Sequence, residues 1–137
     1  MSVLSDEVRE FLAELHFAVL ATLGAHGLPH QSVMWYLLDG DEILFNTKAG
    51  RAKERHLQND PRASLLIGGA YRYVRVTGRV REIRDPETAQ TDIHRLAIRY
   101  TGAEAATKSI ERFGQEERIT YRMPIDRVYL YGFEQAD

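Results

Sequence analysis

Apolar and polar residues alternate with two different periods along this chain, and the changes of period mark the predicted elements. Four apolar residues near the N-terminus follow the i, i+3, i+4, i+7 spacing of one helix face: Val8, Phe11, Leu12 and Leu15. Ser5 precedes them and belongs to the residue types that cap helices. The pattern therefore predicts an amphipathic helix close to the N-terminus.

Short apolar or alternating segments, typical of β-strands, make up much of the remaining chain. The predicted strands cover residues 17–23, 31–38, 42–47, 63–67, 71–84, 118–123 and 128–131. Asp39 and Gly40 form a two-residue hairpin signal, and Gly68 with Gly69 is a second predicted turn. Gly78, inside the longest strand, is typical of a bulge or bend.

Helical patterns interrupt the strands at three further places. They cover residues 51–58, residues 85–100, and a stretch after Gly102 that reaches Phe113. Asp85 and Pro86 are residue types that begin helices, and Gly102 separates the last two helices. Six or seven short strands with peripheral helices predict a mainly β fold of the α+β class, built as a small antiparallel barrel.

Composition places the chain among ordinary globular proteins. It has 137 residues, of which 44% are hydrophobic and 28% charged, and this size fits one domain over residues 1–137. No apolar run approaches the roughly 18 residues of a membrane span, and the N-terminus lacks the layout of a signal peptide. Cysteine is absent, which excludes disulfides and thiolate nucleophiles. We therefore expect a cytoplasmic protein without membrane contact.

The charge is unevenly distributed, although the net charge is only −2. Residues 48–84 hold ten of the 18 basic residues and three of the 20 acidic ones. Such a segment indicates a local anionic ligand, or else arginines on solvated faces. Tyr and Arg alternate from Tyr71 to Arg81, as on a platform for single-stranded nucleic acid. The acidic remainder and the lack of an RNA-recognition signature favour no nucleic-acid partner.

The segment from residue 43 to residue 67 has features of an anion site. Its first strand ends with Asn46 and Thr47, whose side chains can donate hydrogen bonds. Gly50 leads directly into a helix that starts with Arg51 and Lys53, and the N-terminus of a helix attracts phosphate. These residues predict a phosphate site.

The helical spacing leaves two interpretations of this segment open. Arg51 and Arg55 are four residues apart and would share a helix face, whereas Lys53 would lie on the opposite side. The three side chains meet one ligand only if they bend around the first turn. The alternative is a solvated helix with Glu54 as its counter-charge, and no glycine-rich phosphate motif decides between the two.

The spacing of the residues indicates neither a metal site nor a nucleophilic catalytic site. No pair among the five histidines has the spacing of a metal site, and we predict no metal. No Ser-His-Asp arrangement can be identified, and the Gly-x-Ser-x-Gly motif is absent. We therefore assign no catalytic side chain.

Seven stretches spread over most of the chain carry a family resemblance. They are Phe17-Ala-Val-Leu-Ala-Thr-Leu, Gly27-Leu-Pro-His, Val33-Met-Trp-Tyr, Asp39-Gly-Asp-Glu-Ile-Leu-Phe-Asn-Thr, Gly50-Arg-Ala-Lys-Glu-Arg, Asn59-Asp-Pro-Arg-Ala-Ser and Pro124-Ile-Asp-Arg-Val. In this order they resemble the pyridoxamine-phosphate-oxidase-like split β-barrel superfamily. Within it, the chain looks most like the branch of flavin and deazaflavin oxidoreductases that depend on coenzyme F420.

The resemblance implies an antiparallel, Greek-key-like split β-barrel and a homodimer with two cofactor sites at the subunit interface. It implies that the cofactor phosphate is bound by Asn46, Thr47, Arg51, Lys53 and Arg55. It also implies that the cofactor ring is lined by Ser32, Val33 and Trp35. Two aromatic residues would face the site of the neighbouring subunit, namely Tyr71 and Tyr73.

The chain departs from the vitamin B6 oxidases of this superfamily in two places. Residues 30–36 lack the Arg and the Lys that flank their ring-lining strand, and residues 131–137 lack their C-terminal Arg motif. The resemblance thus implies an F420-dependent reductase that transfers a hydride to an unsaturated or quinone-like small molecule. The alternatives are an FMN-binding flavoprotein of the same superfamily and a non-catalytic cofactor-binding module on the same barrel.

Overall fold

Two antiparallel sheets make up most of the structure, a computed structural model that describes residues 3–133. The five-stranded sheet has the order β2 (Pro29–Met34), β1 (Ala18–Leu23), β5 (Arg62–Gly69), β6 (Arg72–Arg79), β9 (Arg127–Tyr131). The four-stranded sheet has the order β3 (Leu37–Asp39), β4 (Glu42–Lys48), β8 (Arg118–Pro124), β7 (Arg81–Ile83). The α-helices are α1 (Asp6–Ala13), α2 (Ala52–Asn59), α3 (Pro86–Thr101) and α4 (Ala103–Gly114). The expected fold class, a mainly β split barrel with peripheral helices, is confirmed.

The inner faces of the two sheets form the main core. Leu20 of β1, Leu65 of β5 and Val76 of β6 are fully buried from one sheet. Phe45 of β4 and Ile119 of β8 are fully buried from the other. Because successive strand residues point to opposite faces, each strand contributes every second residue to this core.

A smaller cluster covers the outer face of the four-stranded sheet. Leu44, whose neighbours in β4 face the barrel, packs there with Ile93 and Leu96 of α3 and Phe113 of α4. Helices α3 and α4 thus cover this sheet on its outer side. Among the helices of residues 3–133, none has the length and apolar character needed to span a bilayer.

The predicted strand over residues 31–38 is wrong as one element. It is divided into β2 and β3, which belong to different sheets. Tyr36 lies at the crossing, and its buried hydroxyl donates to the carbonyl oxygen of Leu12 at 2.7 Å. The Nε of Arg99 donates to the carbonyl oxygen of Tyr36 at 3.0 Å. These distant partners hold the chain as it passes from one sheet to the other.

The predicted ribbon over residues 71–84 is likewise divided, into β6 and β7. The break is at Val80, whose N–H donates to the carbonyl oxygen of Pro61 at 2.8 Å. Gly78 lies two residues before this break and pairs in regular register with Ala63, so β5 and β6 have no bulge there. The predicted turn at Gly68 and Gly69 is wrong, because both residues pair within β5.

The N-terminal helix is confirmed, with a shorter apolar face than predicted. Ser5 is its N-cap, and the Ser5 hydroxyl accepts a hydrogen bond from the N–H of Val8 at 3.2 Å. Leu15 lies beyond the end of α1 and is exposed, so it does not belong to the helix face. Residues 134–137, part of the comparison with the vitamin B6 oxidases, lie outside the described residues.

Candidate cofactor-binding site

A cavity of about 500 Å³ lies between the end of β2, the end of β4 and helices α3 and α4. Its apolar side is formed by Val33, Met34, Trp35, Ile93, Leu96 and Phe113. Its polar side is formed by Asn46, Thr47, Arg51, Arg112, Glu116 and Arg118. Five of the ten residues that the sequence predicts for the site line this cavity: Val33, Trp35, Asn46, Thr47 and Arg51.

Thr47 lines the polar side and carries a buried hydroxyl without a partner. Its residue is buried near the end of β4, and its Oγ1 has no hydrogen-bond partner among the described residues. A buried hydroxyl without a partner costs free energy that a ligand can recover. Thr47 therefore has the property expected of an anion ligand.

Lys53 is buried rather than solvent-facing, which corrects the solvated-helix interpretation. Only 6% of the residue is exposed. Lysine ion pairs within residues 3–133 involve Lys48 and Lys108, not Lys53. Burial, with smaller contributions from Arg51 and Arg118, lowers the pKa of the Lys53 ammonium below its ordinary value. An unpaired buried cation is most simply explained by an anion that binds beside it.

The helical-face argument for Arg51 and Arg55 is wrong. Arg51 is the N-cap of α2 and has an extended backbone, so the four-residue spacing does not align it with Arg55. Arg55 is exposed and does not line the cavity. Lys53, which spacing placed on the opposite side, is the helical residue whose charge interacts with Arg51.

Glu54 does not neutralise this cluster. Its carboxylate accepts a hydrogen bond from the N–H of Gly50 at 2.6 Å and forms an ion pair with Arg84. These two contacts, with the Gly50 N–H first, hold the pKa of Glu54 below its ordinary value. The one acid in the first turn of α2 is thus engaged elsewhere, and the positive charge of Arg51 and Lys53 stays available.

Arg118 is a site residue that the sequence analysis missed. Its side chain is 9% exposed, and burial, partly offset by Glu116, lowers the pKa of its guanidinium. Its Nε donates to Oδ1 of Asn46 at 3.0 Å, and its Nη1 donates to Glu116 at 3.0 Å. Arg118 reaches the cavity because β8 pairs with β4. These strands are far apart in the sequence, and no local motif predicts their pairing.

Asn46 has a different role from the one predicted. Its amide NH₂ donates to the carbonyl oxygen of Ala89 at 3.0 Å and to the Thr120 hydroxyl at 3.1 Å. Its Oδ1 accepts the bond from Arg118. With both donor hydrogens engaged, Asn46 orients Arg118 and is not free to donate to an anion.

The apolar side of the cavity is stiffened by stacked aromatic rings. Trp35 stacks on Tyr100 with ring centroids 5.3 Å apart and an interplanar angle of 5°. Phe17 also stacks on Tyr100, with ring centroids 5.3 Å apart. The Tyr100 hydroxyl accepts a bond from the N–H of Tyr36 at 3.2 Å, which fixes the middle ring. Trp35 is therefore presented as a flat, rigid wall.

The other five predicted residues do not line this cavity, namely Ser32, Lys53, Arg55, Tyr71 and Tyr73. Lys53 lies close enough to the lining residues Arg51 and Arg118 for their charges to interact with it. Ser32 pairs with the core residue Leu20, so its side chain lies on the opposite face of β2 from Val33. Tyr71 is 90% exposed at the turn between β5 and β6. Tyr73 lies on the outer face of the five-stranded sheet and stacks on Tyr131 at 5.4 Å.

This chain is similar to several known proteins in sequence or in fold. A protein of Kineococcus radiotolerans named pyridoxine/pyridoxamine 5′-phosphate oxidase is 33% identical over 86 residues, which cover 61% of this chain and 39% of that protein. A conserved hypothetical protein of Mycobacterium tuberculosis is 28% identical over 95% of this chain and 86% of its own, with a TM-score of 0.80. A solved structure named F420 reductase has a TM-score of 0.74 at 22% identity, covers 91% of this chain and 98% of its own, and shares the fold alone.

The family comparison extends over nearly the whole chain. Residues 4–129 match the family described as pyridoxamine 5′-phosphate oxidase. This range includes both sheets, apart from the last two residues of β9, and every residue that lines the cavity. The chain therefore belongs to the pyridoxamine 5′-phosphate oxidase family, a family of oxidoreductases.

Proposed function

We propose that this protein is an oxidoreductase that uses coenzyme F420 to reduce an unsaturated or quinone-like small molecule. One observation carries the proposal. The lining residues Thr47, whose hydroxyl has no partner, Arg51 and Arg118 share the cavity with Trp35, and the buried residue Lys53, which has no carboxylate partner among residues 3–133, adds its charge next to Arg51 and Arg118. Such a site suits a ligand that has both a phosphate and a planar ring.

The residues of the cavity fit such a cofactor. Thr47, Arg51 and Arg118 would hold the phosphate, because charge-assisted hydrogen bonds to phosphate are strong. Lys53, next to Arg51 and Arg118, would join them at the edge of the cavity. Val33 and Trp35 would contact the ring system. A volume of about 500 Å³ lies within the usual range for cofactor pockets. When bound, a deazaflavin or flavin supplies the hydride, and the protein supplies orientation and electrostatics.

The apolar side has a further property that suits hydride transfer. Its described residues are Val33, Met34, Trp35, Ile93, Leu96 and Phe113, and none of them titrates. These side chains would contact the ring and offer no proton donor of their own. The proton that completes the reduction after hydride transfer would therefore come from solvent, to which Val33 is open at 68% exposure.

Coenzyme F420 is favoured over FMN by a cation beyond the phosphate cluster. Arg112 lines the cavity, its guanidinium lies over the Phe113 ring at 4.9 Å, and it forms no ion pair with a carboxylate of residues 3–133. A carboxylate in the tail of F420 would find a partner there. FMN, the alternative, would need only the phosphate cluster.

Titration of the purified protein with F420 and with FMN, followed by fluorescence, tests this proposal. F420 should bind more tightly, and its affinity should fall more steeply with salt, because exposed charge pairs are screened at ordinary ionic strength. A protein that is purified with stoichiometric FMN, and from which F420 does not displace it, would identify FMN as the cofactor. Binding without turnover of quinones or enones would indicate the non-catalytic module.

The proposal includes a homodimer in which the second copy completes the site. The outer face of the five-stranded sheet is apolar and exposed, with Val33 at 68% and Leu66 at 41% exposure. The rings of Tyr73, Tyr129 and Tyr131 continue this surface across β6 and β9. Arg75 lies between Leu66 and Tyr129, with its guanidinium over the Tyr129 ring at 4.7 Å. Exposed surface that combines aromatic residues with arginine is typical of protein interfaces. Because Val33 also lines the cavity, a copy seated on this face would adjoin the cofactor.

A further inference from the structure

A second cavity, of about 610 Å³, lies at the end of the five-stranded sheet where β1 ends and β9 begins. None of its lining residues lines the proposed cofactor cavity. Three arginines surround it, namely Arg62 of β5, Arg79 of β6 and Arg127 of β9. The function proposed above makes no use of this group.

The arginines carry more positive charge than their surroundings neutralise. Arg62 and Arg79 are direct cross-strand partners, and like charges in that position repel. Asp60 is engaged by Arg62, whose Nε and Nη2 donate to its carboxylate at 3.0 and 2.6 Å. These bonds hold the pKa of Asp60 at about 2, so its carboxylate stays ionised.

Two of the three guanidinium groups are left without an ion pair. Neither Arg79 nor Arg127 forms one with a carboxylate of residues 3–133. Asp126 is the single acid in the described lining and is exposed to solvent. One acid facing two unpaired guanidinium groups leaves the cavity positive.

The remainder of the lining is suited to an organic molecule rather than a bare ion. Ser64 and Thr77 are cross-strand partners whose hydroxyls add hydrogen-bond donors next to the arginines. Ala21, Leu23 and Pro29 form an apolar wall beside them. The cavity therefore offers an anion-binding side and an apolar side.

We propose that this second cavity binds a small organic anion, with a carboxylate or phosphate on Arg79 and Arg127 and an apolar group against Leu23 and Pro29. Planar guanidinium groups bind both kinds of oxyanion through paired hydrogen bonds. The site shares no lining residue with the cofactor cavity, so anion binding here can fail without the cofactor proposal failing. Thr77 and Arg79 lie on the same outer face as Tyr73, so a second copy seated on that face would adjoin this cavity as well.

The test is an NMR titration of the ¹⁵N-labelled protein with naphthoate, naphthyl phosphate and the neutral naphthalenemethanol. It is made in the Lys53→Met background, which weakens anion binding at the cofactor cavity. We expect both acids to shift the amide signals of Ser64, Thr77 and Asp126, and the alcohol to leave them in place. The tighter acid identifies the preferred oxyanion.

Three further substitutions decide whether the arginines are responsible. Arg79→Gln and Arg127→Gln should each raise the dissociation constant roughly five- to tenfold. Arg81→Gln is the matched control, because Arg81 lies two residues beyond Arg79, is exposed, and pairs with Glu42 outside the cavity. Equal affinities in all three variants, or shifts confined to the signals of Thr47 and Ala52, would overturn the proposal.

Discussion

Lys53 combines deep burial with the lack of a carboxylate partner among residues 3–133. An uncompensated buried charge destabilises a fold, and a well-packed apolar side chain in its place is often stabilising. Lys53→Met should therefore raise the free energy of unfolding by about 1–2 kcal/mol. It should also raise the cofactor dissociation constant about ten- to a hundredfold, since charge-assisted bonds to the phosphate are lost. Urea denaturation and fluorescence titration measure the two effects.

Lys108→Met is the matched control for this substitution. Lys108 is an exposed residue of α4 that pairs with Glu104 one turn away, and such surface pairs contribute little. We expect neither stability nor cofactor affinity to change appreciably. A Lys53→Met protein that is less stable than the wild type and binds the cofactor equally well would contradict the assignment.

The pKa of Lys53 also predicts how affinity and stability depend on pH. Lys53 is charged only below its pKa, and burial sets that pKa below the ordinary lysine value of about 10.4. Cofactor affinity should therefore fall as the pH rises through this lowered pKa. Stability should rise over the same interval, because the unfolded chain binds the proton more readily than the folded one. Titrations from neutral pH to pH ~10 should show both trends in the wild type, and neither trend in Lys53→Met.

At the scale of elements, Gly78 lets the two sheets approach each other. A Cβ added to Gly78 would lie 2.3 Å from the carbonyl oxygen of Pro124 and 3.0 Å from Cγ of Met123, both in β8. Gly78→Ala should therefore lower the free energy of unfolding by about 2–3 kcal/mol. The added methyl group fits only if β6 or β8 shifts, because the nearest atom belongs to the backbone of Pro124. Denaturant midpoints measure the change.

Gly69→Ala provides the comparison for this prediction. Gly69 is also a strand glycine, but a Cβ built there meets no atom within 4 Å. We expect its effect to stay within about 0.5 kcal/mol. Similar losses in the two variants would show that strand propensity, rather than the close approach to Pro124, makes glycine necessary at position 78.

The elements that local chemistry determines were predictable from the sequence. The cap at Ser5 and the helix that starts after Asp85 lie where predicted. The predicted hairpin forms one residue later than expected, because Asp39 pairs with Glu42 and the turn is Gly40–Asp41. The division of residues 31–38 was not predictable, because the contacts that anchor Tyr36 come from Leu12 and Arg99, which are distant in the sequence.

In the candidate site too, the contacts between residues distant in the sequence were not predictable. Helical spacing placed Lys53 away from Arg51, because it treated Arg51 as helical when its backbone is extended. Arg118 enters the site only through the pairing of β8 with β4, which the sequence does not specify locally. The strand end and helix start did group Thr47 with Arg51, and the resemblance to a family added Trp35, which no spacing connects to them.

At the scale of the whole molecule, the two sheets differ in what covers their outer faces. Helices α3 and α4 pack on the four-stranded sheet through Leu96 and Phe113. The five-stranded sheet leaves Val33, Leu66 and Tyr129 exposed on its outer face. Burying apolar surface away from water lowers the free energy. A dimer would therefore be most stable if the second copy packed on this face.

Leu66→Glu tests the proposed homodimer, because it places a charge at the centre of the exposed face, between Val19 of β1 and Arg75 of β6. Sedimentation at micromolar concentration should give a dimer for the wild type and a monomer for the variant, since burying a carboxylate in an interface costs more than one ion pair with Arg75 returns. The melting temperature of the isolated barrel should stay nearly the same, because Leu66 is 41% exposed in the single chain.

Ile98→Glu is the matched control: Ile98 is 42% exposed but lies on α3, and the variant should remain dimeric. If the second copy completes the cofactor site, Leu66→Glu should weaken cofactor binding while Ile98→Glu preserves it. A wild-type protein that sediments as a monomer with cofactor present would rule out the interface.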